Sequence, residues 1–390
     1  MLLRSTFAAV LALGLVESGS GQTSSVTQDG RYWTQTANGS ISAQPMTHLR
    51  VIATGNITVN GNPGDRVAYT LKRRIRAVSA QEAERQLRGF EVRSSTKGEW
   101  IYLTVTSPSS KIMSADLTVA VPRWMHEMQV ESYDGNVTAA DFDGQLEVNT
   151  AGGNVDLDRI KQSIVAKTGG GNITIGRVAG PVKCYSGGGN VRADSIGGEC
   201  WLETGGGDLS VNEANGTVHV FTRSGGNIKV GRSMGAVYAQ TAGGLIEIGQ
   251  AAGLVDAQNS GGSIQVNRAN GVQCQSIAGA IRLRNVDGPL RASTSVGSII
   301  ADLLSGHRIE ESILSTKAGD ITVLIPSNIP MTVMARNQTP GAGRIVSDFP
   351  EIRVHQIAGA LPAIAEGSLN GGGPVFTIAV NAGTIYLRKK

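Results

Sequence analysis

Long apolar runs are missing from this 390-residue chain after its first twenty residues. No later segment approaches the ~18 apolar residues that a membrane-spanning helix needs. Charge of one sign is also missing. The formal net charge is only +4, and Lys and Arg are scattered rather than gathered into one run, which gives nucleic-acid binding little support. Aromatic residues make up 4% of the chain and prolines number 12. The five histidines fall into no ligand spacing, so a zinc site is not expected. The Gly-x-Gly strings precede no helix and no Lys-Ser/Thr pair, which removes phosphate-loop chemistry. No cofactor or metal is therefore expected. Cysteine is scarce and odd in number: Cys184, Cys200 and Cys274 leave at least one thiol free or paired to another chain.

What is plentiful is glycine, at 52 residues, about twice the usual share of ~7%. It has no three-residue period and little accompanying proline, which excludes collagen. With 40% apolar residues the chain has material for a real core, and the glycines mark frequent turns.

Self-similarity locates those turns. Asn136, Asn154, Asn172 and Asn190 are eighteen residues apart; Asp208 takes the next place and Asn227 follows after nineteen. Leu245, Ser263, Ala280, Ser298 and Asp320 continue the column. One position later every coil carries an aliphatic residue, from Val137 through Ile173 to Ile321, and the residue two further on continues an inward alternation. A second glycine column, Gly144, Gly180, Gly198, Gly216 and onward, is broken at Gln162. A hydroxyl column (Thr150, Thr168, Ser186, Thr204, Thr241, Ser276, Thr294, Thr316) sits four residues before the next Asn position, where it can bond between coils and to turn backbone. The fold class is thus all-β: a single-stranded β-solenoid of about ten eighteen-residue coils over residues 134–325. Glycine is expected to supply positive φ and close approach at the corners, and the asparagines an amide ladder.

Residues 1–21 read as a signal peptide: Arg4, an apolar stretch Phe7–Val16, and small residues before a cut near Gly21–Gln22. No Cys follows the cut, so no lipid anchor and no stable membrane insertion after cleavage are expected. Residues 26–133 read as an N-terminal β-rich cap, with strands near 49–52, 56–59, 67–76, 91–94, 100–106 and 117–121. One short helix interrupts them, capped by Ser79 and Glu82 and ended near Gly89. Residues 326–390 read as a C-terminal β cap with a final strand pair at 375–380 and 384–387, and 351–370 as a loop or short insertion. Caps are needed because bare solenoid ends would recruit further strands.

The coil register assigns outward positions, and several hold aromatic residues: Tyr185, Trp201, His219, Phe221 and Tyr238. Such a cluster reads either as a binding patch, with rings stacked on sugars or on a partner, or as a surface covered by a terminal segment. The outward carboxylates Asp141, Asp143, Asp156 and Asp158 are the candidates for an acid/base pair, against the plainer reading of a solubilising surface. Lys72, Arg73, Arg74 and Arg76 read as one solvated strand, with anionic polysaccharide or lipid headgroups as the alternative. Calcium would need an Asp in each turn, and the repeat offers Asn. Cys184 and Cys200 point inward on adjacent coils, two positions apart along the strand; that places their Cα atoms ~8 Å apart, beyond disulfide reach.

A leader, a β-rich segment reading His48-Leu49-Arg50-Val51 to Gly55-Asn56-Ile57-Thr58-Val59, repeated Gly-Gly-Asn-Ile-x-Ile coils, a closing Gly319-Asp320-Ile321-Thr322-Val323 and Ser347-Asp348-Phe349-Pro350 together resemble the bacterial putative adhesin family, a domain of unknown function in envelope proteins. The resemblance spans roughly 45–388. It implies an envelope β-solenoid, says little about the ligand and carries over no catalytic residue; the leader points to a periplasmic, outer-surface or extracellular location, and the aromatic face to a glycan or another envelope protein as partner. The competing readings are a carbohydrate-active β-helix enzyme, which needs convergent carboxylates in a groove, and a bactofilin-like filament, which needs uncapped ends.

Overall fold

The structure is a computed structural model, and it describes residues 22–106, 114–305, 309–338, 344–355 and 362–390. The leader at 1–21 lies outside the described residues. Strand makes up 65% of the chain, and the described residues hold one helix, at Ala80–Leu87.

Each coil contributes two strands. Gln145–Thr150 is followed by a corner at Ala151–Asn154 and then by Val155–Ile160; the next coil repeats this as Ile164–Thr168 and Ile173–Val178. The first strand of each coil pairs in parallel with the first strand of the next, Leu146 opposite Ile164 opposite Val182. The second strand does the same, Val155 opposite Ile173 opposite Val191. The result is two parallel sheets back to back, called here the first and the second sheet. Inward residues are apolar because neither sheet can bury its face except against the other. Val155, Leu157, Ile160, Ile164 and Ala166 are all fully buried.

About 11 turns follow one another, one for each column position from Asn136 to Asp320, against about ten expected; Glu127–Ser132 supplies the first strand of the coil that contains Asn136, and Val137–Phe142 its second. Stacking does not stop there. The coil His48–Ala53 with Ile57–Asn62 lies beneath it, Leu49 opposite Met128 and Ile57 opposite Val137. Trp100–Thr106 and Ser114–Pro122 lie beneath that. The earliest coil in the sequence is therefore second in space. The other end mirrors this arrangement. Val375–Ala382 and Thr384–Lys389 stack on Ser312–Ala318 and Ile321–Ile325, and the earlier segments Met331–Asn337 and Arg344–Ser347 stack above them.

Antiparallel strands close both ends. Arg66–Ile75 pairs with Ser114–Pro122, Tyr32–Ser42 with Arg66–Ile75, and Glu91–Lys97 with Trp100–Thr106. At the far end Ala363–Leu369 pairs with Met331–Asn337 and Arg353–His355 with Ala363–Leu369, so part of the segment expected to be a loop is strand. The helix has Ser79 as its N-cap, accepting from the Glu82 N–H at 3.3 Å, and buries Ala83 and Leu87 across the end of the core.

The corner after the first strand is built from three interlocking columns. The hydroxyl of Thr168 donates to the Gly153 carbonyl of the preceding coil at 2.8 Å and accepts from the Gly171 N–H at 3.1 Å. Thr150 and Ser186 repeat this, as does Asn259 with its amide. The glycine at the third position answers a packing demand rather than a φ demand. A Cβ on Gly171 would stand 2.1 Å from the Gly153 oxygen, whereas its neighbour Gly170 faces open space. In this column positive φ occurs, among the described residues, only at Gly297, Gly319 and Gly383. In the lowest coil, with no coil beneath it, the place is held by Ala115. The asparagines also differ from expectation: the side-chain oxygen of Asn154 accepts the backbone N–H of Asn172 at 2.8 Å, and Asn172 does the same for Asn190. Only an oxygen acceptor is required, so Asp208 serves equally, accepting from Asn227 N–H at 2.7 Å.

All three cysteines are free and buried, with Cys184 opposite Leu202 and Cys200 opposite Val182. Desolvation pushes the Cys200 thiol up to about 12 and moves Cys184 and Cys274 in the same direction.

Candidate binding face

Outward positions on parallel, in-register strands repeat at the strand spacing of ~4.8 Å, which is near the separation at which flat rings stack. The first sheet uses this coincidence. Lys183, Trp201, His219, Tyr238 and Asp256 occupy one column on successive coils. Trp201 and His219 stack with centroids 4.7 Å apart and planes at 23°, and His219 and Tyr238 at 4.9 Å and 9°. Lys183 Nζ lies 5.5 Å from the centroid of the Trp201 ring, capping the lower end as a cation over a π face. His219 Nε2 is 3.2 Å from Glu199 Oε1. In the neighbouring column Phe221 leans on Trp201 at 5.4 Å, and Tyr185 stands two coils below Phe221.

The five aromatic positions expected from the register are therefore on one face, and four of them touch. The described terminal segments pair at the two ends of the stack, not across these strands. The rings lose their exposure to each other. This changes what the face can bind, because the inner faces of the stacked rings are taken. Open ring surface remains at two places flanking the stack.

Above it, Tyr238 and Phe221 wall a depression of about 140 Å³, with Asp256, Gln258 and Gln240 on the next strands. Gln258 donates to Asp256 at 3.3 Å, which orients both groups. Below it, a shallow groove of about 350 Å³ runs from Tyr133, 60% exposed, to Tyr185, 38% exposed. Its floor is Ala151 and Gly169, and Lys167, Asn149 and Glu131 form its lip. Tyr133 was not singled out in the sequence because it sits in a corner, where strand alternation makes no assignment.

A second aromatic group lies on the same sheet near the N-terminal end. His48 stacks on Trp100 at 4.8 Å and meets His126 edge-on at 5.4 Å. No spacing in the sequence announces it, since Trp100 becomes the neighbour of His48 only through the exchanged order of the first two coils.

Three of the four carboxylates considered for catalysis, Asp141, Asp143 and Asp158, are engaged by basic side chains or backbone. Arg159 holds both oxygens of Asp141 at 2.8 Å, Lys161 holds Asp143 at 2.9 Å, and Asp158 pairs with Arg159 and accepts the Arg177 N–H at 2.9 Å. The hydrogen bond from Arg159 keeps the Asp141 carboxyl below its ordinary range, the opposite of what a general acid needs. Among the described residues no group of three His, Cys, Asp or Glu could hold a metal ion. The basic strand is not wholly solvated: Arg73 faces inward and is 5% exposed, while Arg74 and Arg76 lie 4.6 and 5.0 Å from the Tyr32 ring.

Architecture and face together define a two-sheeted parallel β-solenoid with a stacked aromatic ladder. Residues 46–251, more than half of the chain, match the family described as Toastrack DUF4097, and the chain belongs to that family. Similar solved structures include a putative cell adhesion protein from Clostridium sporogenes, 8% identical over 90% of this chain and 99% of its own, with a TM-score of 0.19. A putative adhesin from Bacteroides fragilis is 15% identical over 74% of this chain and 97% of its own, TM-score 0.24. A putative lipid binding protein from Parabacteroides distasonis is 12% identical over the same shares, TM-score 0.28. Likeness at this level carries no weight for ligand or activity. No curated protein matches the chain.

Proposed function

We propose that this protein is a non-enzymatic binding scaffold, carried outside the bacterial cytoplasm by the leader at 1–21, whose first sheet recognises a glycan chain lying along the solenoid axis. The depression at Tyr238 carries the reading. An aromatic wall beside paired amide and carboxylate groups offers a sugar both an apolar face for its C–H groups and partners for its hydroxyls. The groove between Tyr133 and Tyr185 offers a second subsite on the same face. From the coil of Tyr133 to that of Gln258 the surface spans on the order of 35 Å at the coil spacing, which suits an extended polymer rather than a single small molecule. The engaged carboxylates support binding without hydrolysis, and the antiparallel strands at both ends support a discrete molecule rather than a filament.

A glycan array with the purified chain, Tyr238→Ala and Tyr185→Ala tests this. Loss of a bound glycan in either variant, with the thermal transition unchanged, is the expected result. Binding that survives both substitutions would remove this face as the site.

A further inference from the structure

The basic strand singled out in the sequence plays no part in the aromatic face. Arg66–Ile75 extends the second sheet at its N-terminal end, pairing with Ser114–Pro122 on one side and Tyr32–Ser42 on the other, whereas the aromatic ladder lies on the first sheet. Along it Val67, Tyr69, Leu71, Arg73 and Ile75 are buried, and Arg73 Nη1 donates to the Leu87 carbonyl at the end of the helix at 3.0 Å. Lys72, Arg74 and Arg76 therefore project outward, about 7 Å apart along the strand.

Tyr32 fixes two of these cations. The guanidinium carbons of Arg74 and Arg76 lie 4.6 and 5.0 Å from its ring centroid, and Arg76 Nη2 donates to its hydroxyl at 2.9 Å. That hydrogen bond, with the charges of Arg76, Arg74 and Arg31, holds the Tyr32 hydroxyl below its ordinary range. Like charges gathered on one ring repel unless an anion answers them. Two carboxylates share the face: Asp116, opposite Lys72, accepts from the Asn56 amide at 2.8 Å, and Asp29 stands opposite Tyr32. Among the described residues neither forms an ion pair with Arg31, Lys72, Arg74 or Arg76.

Beside the cations stands an uncovered apolar side chain. Val78, two residues past Arg76, is 95% exposed; its N–H donates to Glu82 at 3.3 Å, and Glu82 also accepts from the Gln86 amide at 2.9 Å. The neighbours on the paired strands, Thr34, Thr36 and Thr118, are short and build no walls. Such a face gives a single soluble phosphate little to enclose it, and suits a plane of phosphates above an apolar layer.

We propose that this face docks the protein on an anionic lipid surface, with Lys72, Arg74 and Arg76 on headgroup phosphates and Val78 at the apolar boundary beneath them. Docking there leaves the aromatic ladder, on the opposite sheet, turned away from the lipid.

Co-sedimentation of the full chain with vesicles of phosphatidylcholine alone, and of an equal mixture with phosphatidylglycerol, tests this. Preference for the mixed vesicles is the readout, because an apolar leader adds to binding on both. A clear preference that shrinks as salt is added is expected. Arg74→Gln combined with Arg76→Gln lowers it about twenty-five-fold, about fivefold for each charge lost, and Val78→Ser weakens binding to the mixed vesicles severalfold. Arg282→Gln combined with Arg284→Gln removes the same net charge from exposed arginines elsewhere on the second sheet and changes the preference by less than about twofold. No preference for the mixed vesicles, an unchanged preference in the Arg74 and Arg76 double variant, or equal losses in the two double variants would overturn the proposal. So would saturable binding of inorganic phosphate or soluble polyphosphate without preference for the mixed vesicles, which would assign the face to a soluble anion.

Discussion

Each coil turns twice, and the two turns are held by different forces. The corner after the first sheet is interlocked: a buried hydroxyl, a glycine with no room for a Cβ, and a side-chain oxygen that bonds the next coil's backbone, repeated coil after coil. The opposite corner is looser in sequence. Its glycines are crowded too, a Cβ on Gly180 or Gly216 standing 2.6 or 2.7 Å from the backbone of the preceding coil, yet the column accepts Gln162, and exposed ion pairs such as Asp141 with Arg159, Asp143 with Lys161 and Glu213 with Arg232 bridge the coils near it. The chain also lengthens there, between Leu303 and Ser312; the pairing slips by one residue on the near side, between Arg284 and Val286, and Arg291 to Thr294 stay in register with Ile313 to Thr316 on the far side. Buried, directional contacts admit few residue types; screened surface pairs admit many. The first corner therefore sets the register, and the second absorbs variation.

The largest effect that would test this difference is at Gly171. Gly171→Ala forces a Cβ against the Gly153 carbonyl and is expected to destabilise by about 3 kcal/mol in urea unfolding. Gly170→Ala, one residue away in open space, is expected to stay within about 0.5 kcal/mol. Equal losses would mean that the corner is not tightly packed. Next is Thr168→Val, which leaves the Gly153 carbonyl and the Gly171 N–H unpartnered in a buried site. A loss of about 2 kcal/mol is expected, with Thr168→Ser retaining most of it.

Asn172→Leu removes the acceptor for Asn190 N–H at an exposed edge, for a loss of about 1 kcal/mol. Asn172→Asp is expected to be close to neutral near pH 7, as Asp208 already shows the carboxylate in this role. A substantial loss in Asn172→Asp would restore the amide as the essential group. The smallest effect belongs to the opposite corner. Because Arg159 depresses the Asp141 carboxyl in the folded state, its contribution is present above the ordinary carboxylate value of about 3.9 and is lost as pH falls through the lower folded value. Stability measured against pH should show a slightly steeper acid limb in the wild type than in Asp141→Asn, and added salt should shrink the difference.

Much of this was legible because the coil is local. Eighteen residues contain both strands and both corners, so the periods of Val137, Asn154 and Thr168 report inward, corner and hydrogen-bonding positions directly. The same register placed Tyr185, Trp201, His219, Phe221 and Tyr238 on one face. It could not show that the rings would turn toward each other, since a stack at 4.7 and 4.9 Å depends on rotamers, not on spacing. Tyr133 escaped because corners have no alternation. His48 beside Trp100, and Arg73 beneath the helix, escaped because both arise from chain segments that meet out of sequence order.

The sequence by itself determined the coil, its two turns and the inward columns, because each coil packs on its immediate successor and repetition writes that contact into the spacing. Only the tertiary structure decided how the stack ends: which coil slips beneath which, which strands run antiparallel to close the edges, and what those closures bury. Those choices depend on contacts between segments that share no period, where free backbone edges and a lone buried guanidinium find whatever partners the folded chain brings to them.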